Sequence, residues 1–171
     1  MSTLQGVGNP VSKSLPVTKE AGRIYILIND AGLGYYGALE DMPMPDAKYQ
    51  FDVNVFAAAR LMQLILLTMR ANKYGKIVNI SSIGGKVTLP MGVWYHASKF
   101  AIEGLSDALR KEVKQFGIDV IVIEPGGTKS EMTGLGAEYL NRISAKQHTP
   151  IWQKGSLKCM RRQRKMHRIR L

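Results

Sequence analysis

Three short apolar runs alternate along the chain with two long stretches of helical spacing. RIYILIND (23–30) is continuous and rich in β-branched residues, and KIVNIS (76–81) and DVIVIEP (119–125) share that character. None alternates apolar with polar, so each predicts a strand buried on both faces, as in a parallel sheet. Residues 46–72 carry no glycine or proline and read as one long helix. Residues 94–116 read as a second, because Phe100, Ile102, Leu105, Leu109 and Val113 recur at helical spacing. Gly117 is placed to stop that helix, and Pro125 to end the third strand.

Strand, helix, strand, helix, strand, with apolar strands, implies an α/β fold: βαβαβ units in a parallel sheet with helices on both faces. Ligands of such sheets bind beyond the carboxyl ends of the strands. The loops at those ends are NDAGLGYYG, SSIGGKVTLPMGVWYHASK and PGGTKSEM, where glycine and polar residues concentrate. The boundaries expected are an irregular lead-in over 1–22, a domain over 23–145 and a basic tail over 146–171.

Composition changes this picture little. A chain of 171 residues, 45% hydrophobic and 22% charged, suits one soluble domain with a core. One cysteine, Cys159, leaves no intrachain disulfide, and no CxxC or Cys/His cluster points to a metal. An intracellular, cytoplasmic setting is the default reading. No signal-peptide pattern opens the chain. The segment LMQLILLTM (61–69) is far shorter than a membrane span and reads as a buried helix face, so no transmembrane segment is expected.

Charge does change it. The net charge is +11, but eight Lys/Arg and no acidic residue lie between Lys154 and the end, leaving only +3 for the rest. Such a tail is of the kind that binds nucleic acid or anionic lipid, or directs nuclear import. The plainer reading, preferred here, is a disordered extension. No aromatic interleaving supports nucleic acid.

The candidate chemistry sits in WYHASKF (94–100). Tyr95 and Lys99 are four residues apart and share one helix face. A phenol titrates near about 10 and is a poor acid or base at neutral pH. An ammonium one turn away would lower that value and let the tyrosine exchange a proton with a carbonyl or alcohol oxygen. Ser82, at the end of the neighbouring strand, is placed to hold the same oxygen. Spacing alone is weak evidence, because most such pairs are solvated helix surface. The ensemble of Ser81–Ser82, a glycine loop, Tyr95 and Lys99 is stronger.

From about Gly22 to Met132 the sequence resembles the short-chain dehydrogenase/reductase family. The resemblance rests on ILINDAG (26–32), Asn54 in FDVNVF, VNISS ending in Ser82 at 13 residues before Tyr95, YHASK, and IEPGGTKSEM. It implies a Rossmann-like, doubly wound parallel sheet and an oxidoreductase passing hydride between NAD or NADP and an alcohol or ketone. By the same resemblance Tyr95 is the general acid/base and Ser82 orients the substrate oxygen. Lys99 holds the nicotinamide ribose and depresses the tyrosine pKa, and Asn54 holds a water in the proton relay. Asn29, Ala31, Gly32, Tyr95, Lys99, Pro125, Gly126, Gly127 and Ser130 line the cofactor. GALEDMPM and SSIGGKV look most like a hydroxysteroid/retinol-dehydrogenase-like branch.

The sequence also departs from that pattern. Only 22 residues precede the first strand, and Gly6-Val7-Gly8 lacks the strand and helix of a phosphate loop, with Pro10 following. The family's first strands and glycine-rich nucleotide loop are therefore expected to be missing. That counts against cofactor binding by this chain alone, and it leaves the first strand's edge unpaired. Asp30 stands where the family usually has asparagine, and a carboxylate is less welcome near a pyrophosphate. Thr128 is a milder departure. The alternative to an enzyme is a non-catalytic family fragment or isoform. It would associate through the two long helices with itself or with full-length subunits.

Overall fold

The computed structural model describes residues 22–127 and 131–144, together with 155, 156 and 158. The lead-in before Gly22, Ser130 and nearly all of the basic tail lie outside these residues. Three parallel strands, β1 (Ile26–Asn29), β2 (Gly75–Ile80) and β3 (Ile118–Ile123), pair in the order β1-β2-β3. The predicted α/β parallel sheet is present, with strand ends displaced by a few residues from the sequence reading.

Between β1 and β2 one helical stretch runs from Met44 to Asn72. It is α1 (Met44–Phe51), a π-helical turn (Asp52–Phe56) and α2 (Ala57–Asn72). The π turn adds one residue to the inward face, so Asn54 and Val55 are both buried. By length and composition the stretch is apolar enough to cross a membrane, contrary to the reading of residues 61–69 alone. Core helices pass the same test, and here Met62, Ile65 and Met69 pack against the sheet. Helix α3 (Val93–Val113) continues as a 3-10 turn (Lys114–Phe116). Gly117, at φ 67°, then takes the left-handed conformation that ends it.

Helix α4 (Glu131–Ser144) was not foreseen. Gly134 and Gly136 lower its propensity, and the sequence around them resembles a loop. Its apolar spacing, at Met132, Leu135, Tyr139, Leu140 and Ile143, was the available signal.

The core lies on one side of the sheet. Ile77 and Val120 pack there with Met62, Met69, Ile102 and Val113. The other side departs from expectation: among the described residues the helices cover one face only. Register places Ile28, Val78 and Ile121 in one row and Ile80 and Ile123 in the next. Ile28 is 61% exposed and Ile123 46%. Among the described residues β1 pairs with β2 alone.

Ile77 is fully buried, whereas Leu67 is 78% exposed. Ile77→Ala should lower unfolding stability in urea by about 2–5 kcal/mol, because it opens a cavity in a packed core. Leu67→Ala should change it by less than about 0.5 kcal/mol.

Candidate active site

The site forms where the carboxyl ends of the strands meet the start of α3. The loop after β1 has no regular structure, so its backbone needs other partners. Two amides one helical turn apart supply them. Gln50 Oε1 accepts from Tyr35 N at 2.5 Å. Asn54 Oδ1 accepts from Leu33 N at 2.8 Å, and its Nδ2 donates to Leu33 O at 2.9 Å. The second Nδ2 proton goes to Ser98 Oγ at 2.9 Å, and Ser98 donates in turn to the Tyr95 carbonyl at 2.8 Å. Asn54 thus ties loop, π turn and α3 together. Both its amide protons are committed, so only an oxygen lone pair is left for the water that the resemblance implied.

Ser82 caps a 3-10 turn (Ile83–Gly85), its oxygen accepting from Gly84 N at 3.0 Å. That bond takes up acceptor capacity and leaves the hydroxyl proton free to donate. It meets the Tyr95 hydroxyl, as does Tyr36. Tyr95 is buried, and burial pushes its hydroxyl above the ordinary tyrosine value, outweighing the two hydrogen bonds that pull it down. The lowering expected from Lys99 is not what the structure shows. Lys99 Nζ sits 6.0 Å from the Tyr95 ring centroid and donates to the Ile80 carbonyl at 3.0 Å. Lys99 is itself buried, and burial pulls its pKa below the ordinary lysine value, against the carboxylates of Asp30 and Glu103.

The four predicted catalytic residues converge. A Cβ on Gly32 would lie 3.5 Å from Asn54 Oδ1 and 3.7 Å from Lys99 Nζ. The cofactor candidates divide. Asp30, Ala31, Gly32 and Gly126 are exposed, and Gly126 has nothing within 4 Å of where a Cβ would stand. Pro125 and Gly127 flank it, half-buried. The Pro125 carbonyl accepts from Ile83 N at 3.0 Å, which ties the third loop to the second. Ser130 lies outside the described residues. Asn29 faces the core instead: its Nδ2 donates to Asn79 Oδ1 at 2.7 Å, and Asn79 donates to Ser106 at 2.8 Å. The Asn29 Oδ1 is buried without a partner.

These residues fit the nicotinamide-ribose end of a dinucleotide: open glycine backbone, a lysine and two hydroxyls. They offer nothing to a pyrophosphate. Gly32, Gly34 and Gly37 do follow β1 at GxGxxG spacing, a match the sequence reading passed over. They open no helix, since α1 begins only at Met44. Gly37 instead bridges to Gly92, donating to the Met91 carbonyl at 2.7 Å.

Two further features went unseen in the sequence. His96 accepts from Leu89 N at Nε2 (2.9 Å) and so carries its proton on Nδ1, which donates to the Gly84 carbonyl at 2.9 Å. It fastens the Ser82 turn and the loop beyond it to α3. Helix α4 closes the other side. Tyr139 stacks on Tyr35 at 4.2 Å, its hydroxyl donates to Asp46, and Arg142 lies 4.8 Å over its ring. A cleft of about 640 Å³ opens between α4, α1 and the first loop, lined by Leu33, Tyr35, Leu135, Tyr139 and Arg142 among others.

A three-stranded parallel sheet with serine, tyrosine and lysine gathered beyond its carboxyl end defines the class, an α/β protein of Rossmann-like fold. The short chain dehydrogenase family model matches residues 14–139, and the chain belongs to that family. It is 48% identical over 105 residues to a probable short-chain type dehydrogenase/reductase VdlC of Helicobacter pylori, covering 61% of this chain and 39% of that protein. It is 40% identical over 132 residues to a 3-ketodihydrosphingosine reductase of Bacteroides thetaiotaomicron, covering 72% and 49%. A metagenomic short-chain oxidoreductase solved in complex with NADP aligns with TM-score 0.64 and 32% identity, covering 67% of this chain and 52% of that one. The chain therefore spans about half or less of the length of these curated relatives.

Two predictions follow from the geometry. His96→Phe should strand Leu89 N–H and the Gly84 carbonyl, lowering stability by about 1–3 kcal/mol and speeding amide exchange at Leu89. Burial also holds Tyr95, Tyr35 and Tyr139 protonated above the ordinary tyrosine value. The unfolded chain releases those protons near about pH 10 while the folded chain keeps them, so stability should fall as pH rises through that range. The denaturation midpoint should fall less steeply with pH in Tyr95→Phe than in the parent chain.

Proposed function

We propose that this chain carries the catalytic half of an oxidoreductase that passes hydride between NAD or NADP and an alcohol or ketone. The observation that carries this reading is the Tyr95 hydroxyl. It is buried, bonded by Ser82, and set one helical turn from Lys99. Ser82, its oxygen occupied by Gly84 N–H, meets the Tyr95 hydroxyl in the free chain, and an incoming carbonyl oxygen would take over its one proton. Tyr95 would give its own proton to that oxygen in reduction and take one back in oxidation. Because burial disfavours the phenolate, the free chain holds Tyr95 as an acid, which suits reduction. The reductase name of the Bacteroides relative supports the same direction.

The NADP in the metagenomic neighbour supports a dinucleotide as the redox partner. When bound, the nicotinamide would supply or take the hydride. Lys99 and the exposed Ala31–Gly32 and Pro125–Gly127 backbone would hold its ribose end. The aromatic and apolar cleft under α4 suits a substrate with an apolar body. That is compatible with the hydroxysteroid/retinol-like branch and equally with a long-chain ketone.

A second reading has its own observation. The apolar sheet face and the unpaired β1 edge favour a chain that works in association, with itself or with longer family subunits. The exposed Phe56, Leu67 and Phe100 on the long helices offer a further contact surface.

Titration with NAD(H) and NADP(H), followed by nicotinamide fluorescence, separates the two. Saturation at micromolar cofactor is expected for the enzyme, with ketone reduction falling at least about 100-fold in Tyr95→Phe. No binding at millimolar cofactor would sink the enzyme reading for this chain alone.

A further inference from the structure

Tyr36 is absent from the set of site residues that the family resemblance carries over. Its ring nevertheless lies 5.2 Å from that of Tyr95, tilted by 36°. Its hydroxyl reaches the Tyr95 hydroxyl, beside Ser82. The ring is seated against three glycines from three separate segments. A Cβ on Gly136 of α4 would stand 2.9 Å from Tyr36 Cδ2. One on Gly34, in the loop after β1, would stand 3.0 Å from Cε2, and one on Gly92, at the start of α3, 3.3 Å from Cε1. A side chain at Gly136 would force the ring to shift, and one at Gly34 or Gly92 would need it to give by a few tenths of an ångström. Backbone therefore confines it on each of these sides. The Gly37–Gly92 bridge adjoins the seat and joins two of its walls.

A ring needed only for bulk would not have its hydroxyl aimed at another buried hydroxyl. Phenylalanine would fill the same seat without a polar atom to satisfy. We propose that Tyr36 is a positioning residue for Tyr95: its hydroxyl is a second donor to the Tyr95 oxygen, and Gly34, Gly92 and Gly136 form the seat that aims it. With Ser82 it fixes the Tyr95 oxygen from two donors rather than one, which narrows the directions from which a substrate oxygen can approach. The proposal rests on the reading of Tyr95 as the proton-transfer group.

The test uses the full chain with 13C at tyrosine Cζ, and the Tyr95 resonance is assigned by its loss in Tyr95→Phe. Tyr36→Phe keeps the ring and removes the hydroxyl. The Tyr95 resonance should shift at neutral pH, and its ionisation midpoint should move to higher pH because a donor to the phenolate is gone. Tyr25 and Tyr74, paired 6.1 Å apart near the amino end of the sheet, should not move. Gly136→Ala leaves the hydroxyl in place but crowds the ring from α4, and it should move the Tyr95 resonance in the same direction. If Tyr36→Phe fails to fold, Gly136→Ala decides the matter. A Tyr95 resonance and midpoint unmoved in the folded variant overturn the proposal. The readout needs no turnover. Full ketone reduction by Tyr95→Phe would overturn the functional reading, while the Tyr36 contact would still stand or fall on the resonance.

Discussion

Two amide side chains, Gln50 and Asn54, do for the first loop what a neighbouring strand would otherwise do. Residues 31–36 adopt no regular structure, and their backbone groups would be left unpaired beside the core. Gln50 takes Tyr35 N–H, and Asn54 takes both the N–H and the carbonyl of Leu33. The π turn makes this possible by bringing Asn54 inward one turn after Gln50 while Val55 still reaches the core. Such turns are rare and recur at functional sites, because they shift register without breaking the helix. The rest of the site depends on this loop: Gly32 against Lys99, Gly34 against Tyr95, and Tyr36 beside the Tyr95 ring.

The same burial that fixes these groups works against their charged forms. Tyr95 is pushed toward the neutral phenol and Lys99 toward the neutral amine. Taking either charge out of water costs more than a single hydrogen bond returns. Two donors on Tyr95 and two carboxylates near Lys99 offset part of that cost and not all of it. Lys99 is also anchored to the Ile80 carbonyl, so its charge belongs to the end of β2 more than to Tyr95. A nearby positive charge therefore does not suffice to activate the phenol in the free chain. The pair is arranged to hold a proton, and releasing it requires a change in the surroundings of the pair.

Much of this was legible in the sequence, for identifiable reasons. Apolar strands without alternation and a glycine-free helical stretch report their structure through composition alone, so β1 to β3 and the two long helices were found. YHASK put Tyr95 and Lys99 on one face because i,i+4 residues on a helix are neighbours, and the family resemblance added Ser82, whose hydroxyl the structure sets against that of Tyr95. Three things were not legible. The resemblance set Asn29 along the cofactor, and nothing in the sequence told that its amide turns to Asn79 in the core. Helix α4 was hidden by Gly134 and Gly136, and one of these is required by the close approach of Tyr36 rather than by any loop. The bare sheet face could not be read because a strand buried on both faces and one buried on a single face carry the same isoleucines.

That bare face and the open side of the site have one origin. Rows Ile28–Val78–Ile121 and Ile80–Ile123 lie on the side of the sheet that no described helix covers. Full burial of one such side chain contributes about 1.5–3 kcal/mol, and here each realises only part of it. The Lys76–Asp119 pair in the adjoining row is too exposed to make up the difference. At the carboxyl end, Asp30, Ala31, Gly32 and Gly126 are uncovered too, while Asn54, Tyr95 and Lys99 are buried. The buried polar groups thus belong to the packed side and the exposed loop backbone to the open one. Whatever covered the isoleucines would also wall the exposed 30–32 and Gly126 backbone in the same step, so the stability of the sheet and the closure of this side of the site are coupled through a single surface.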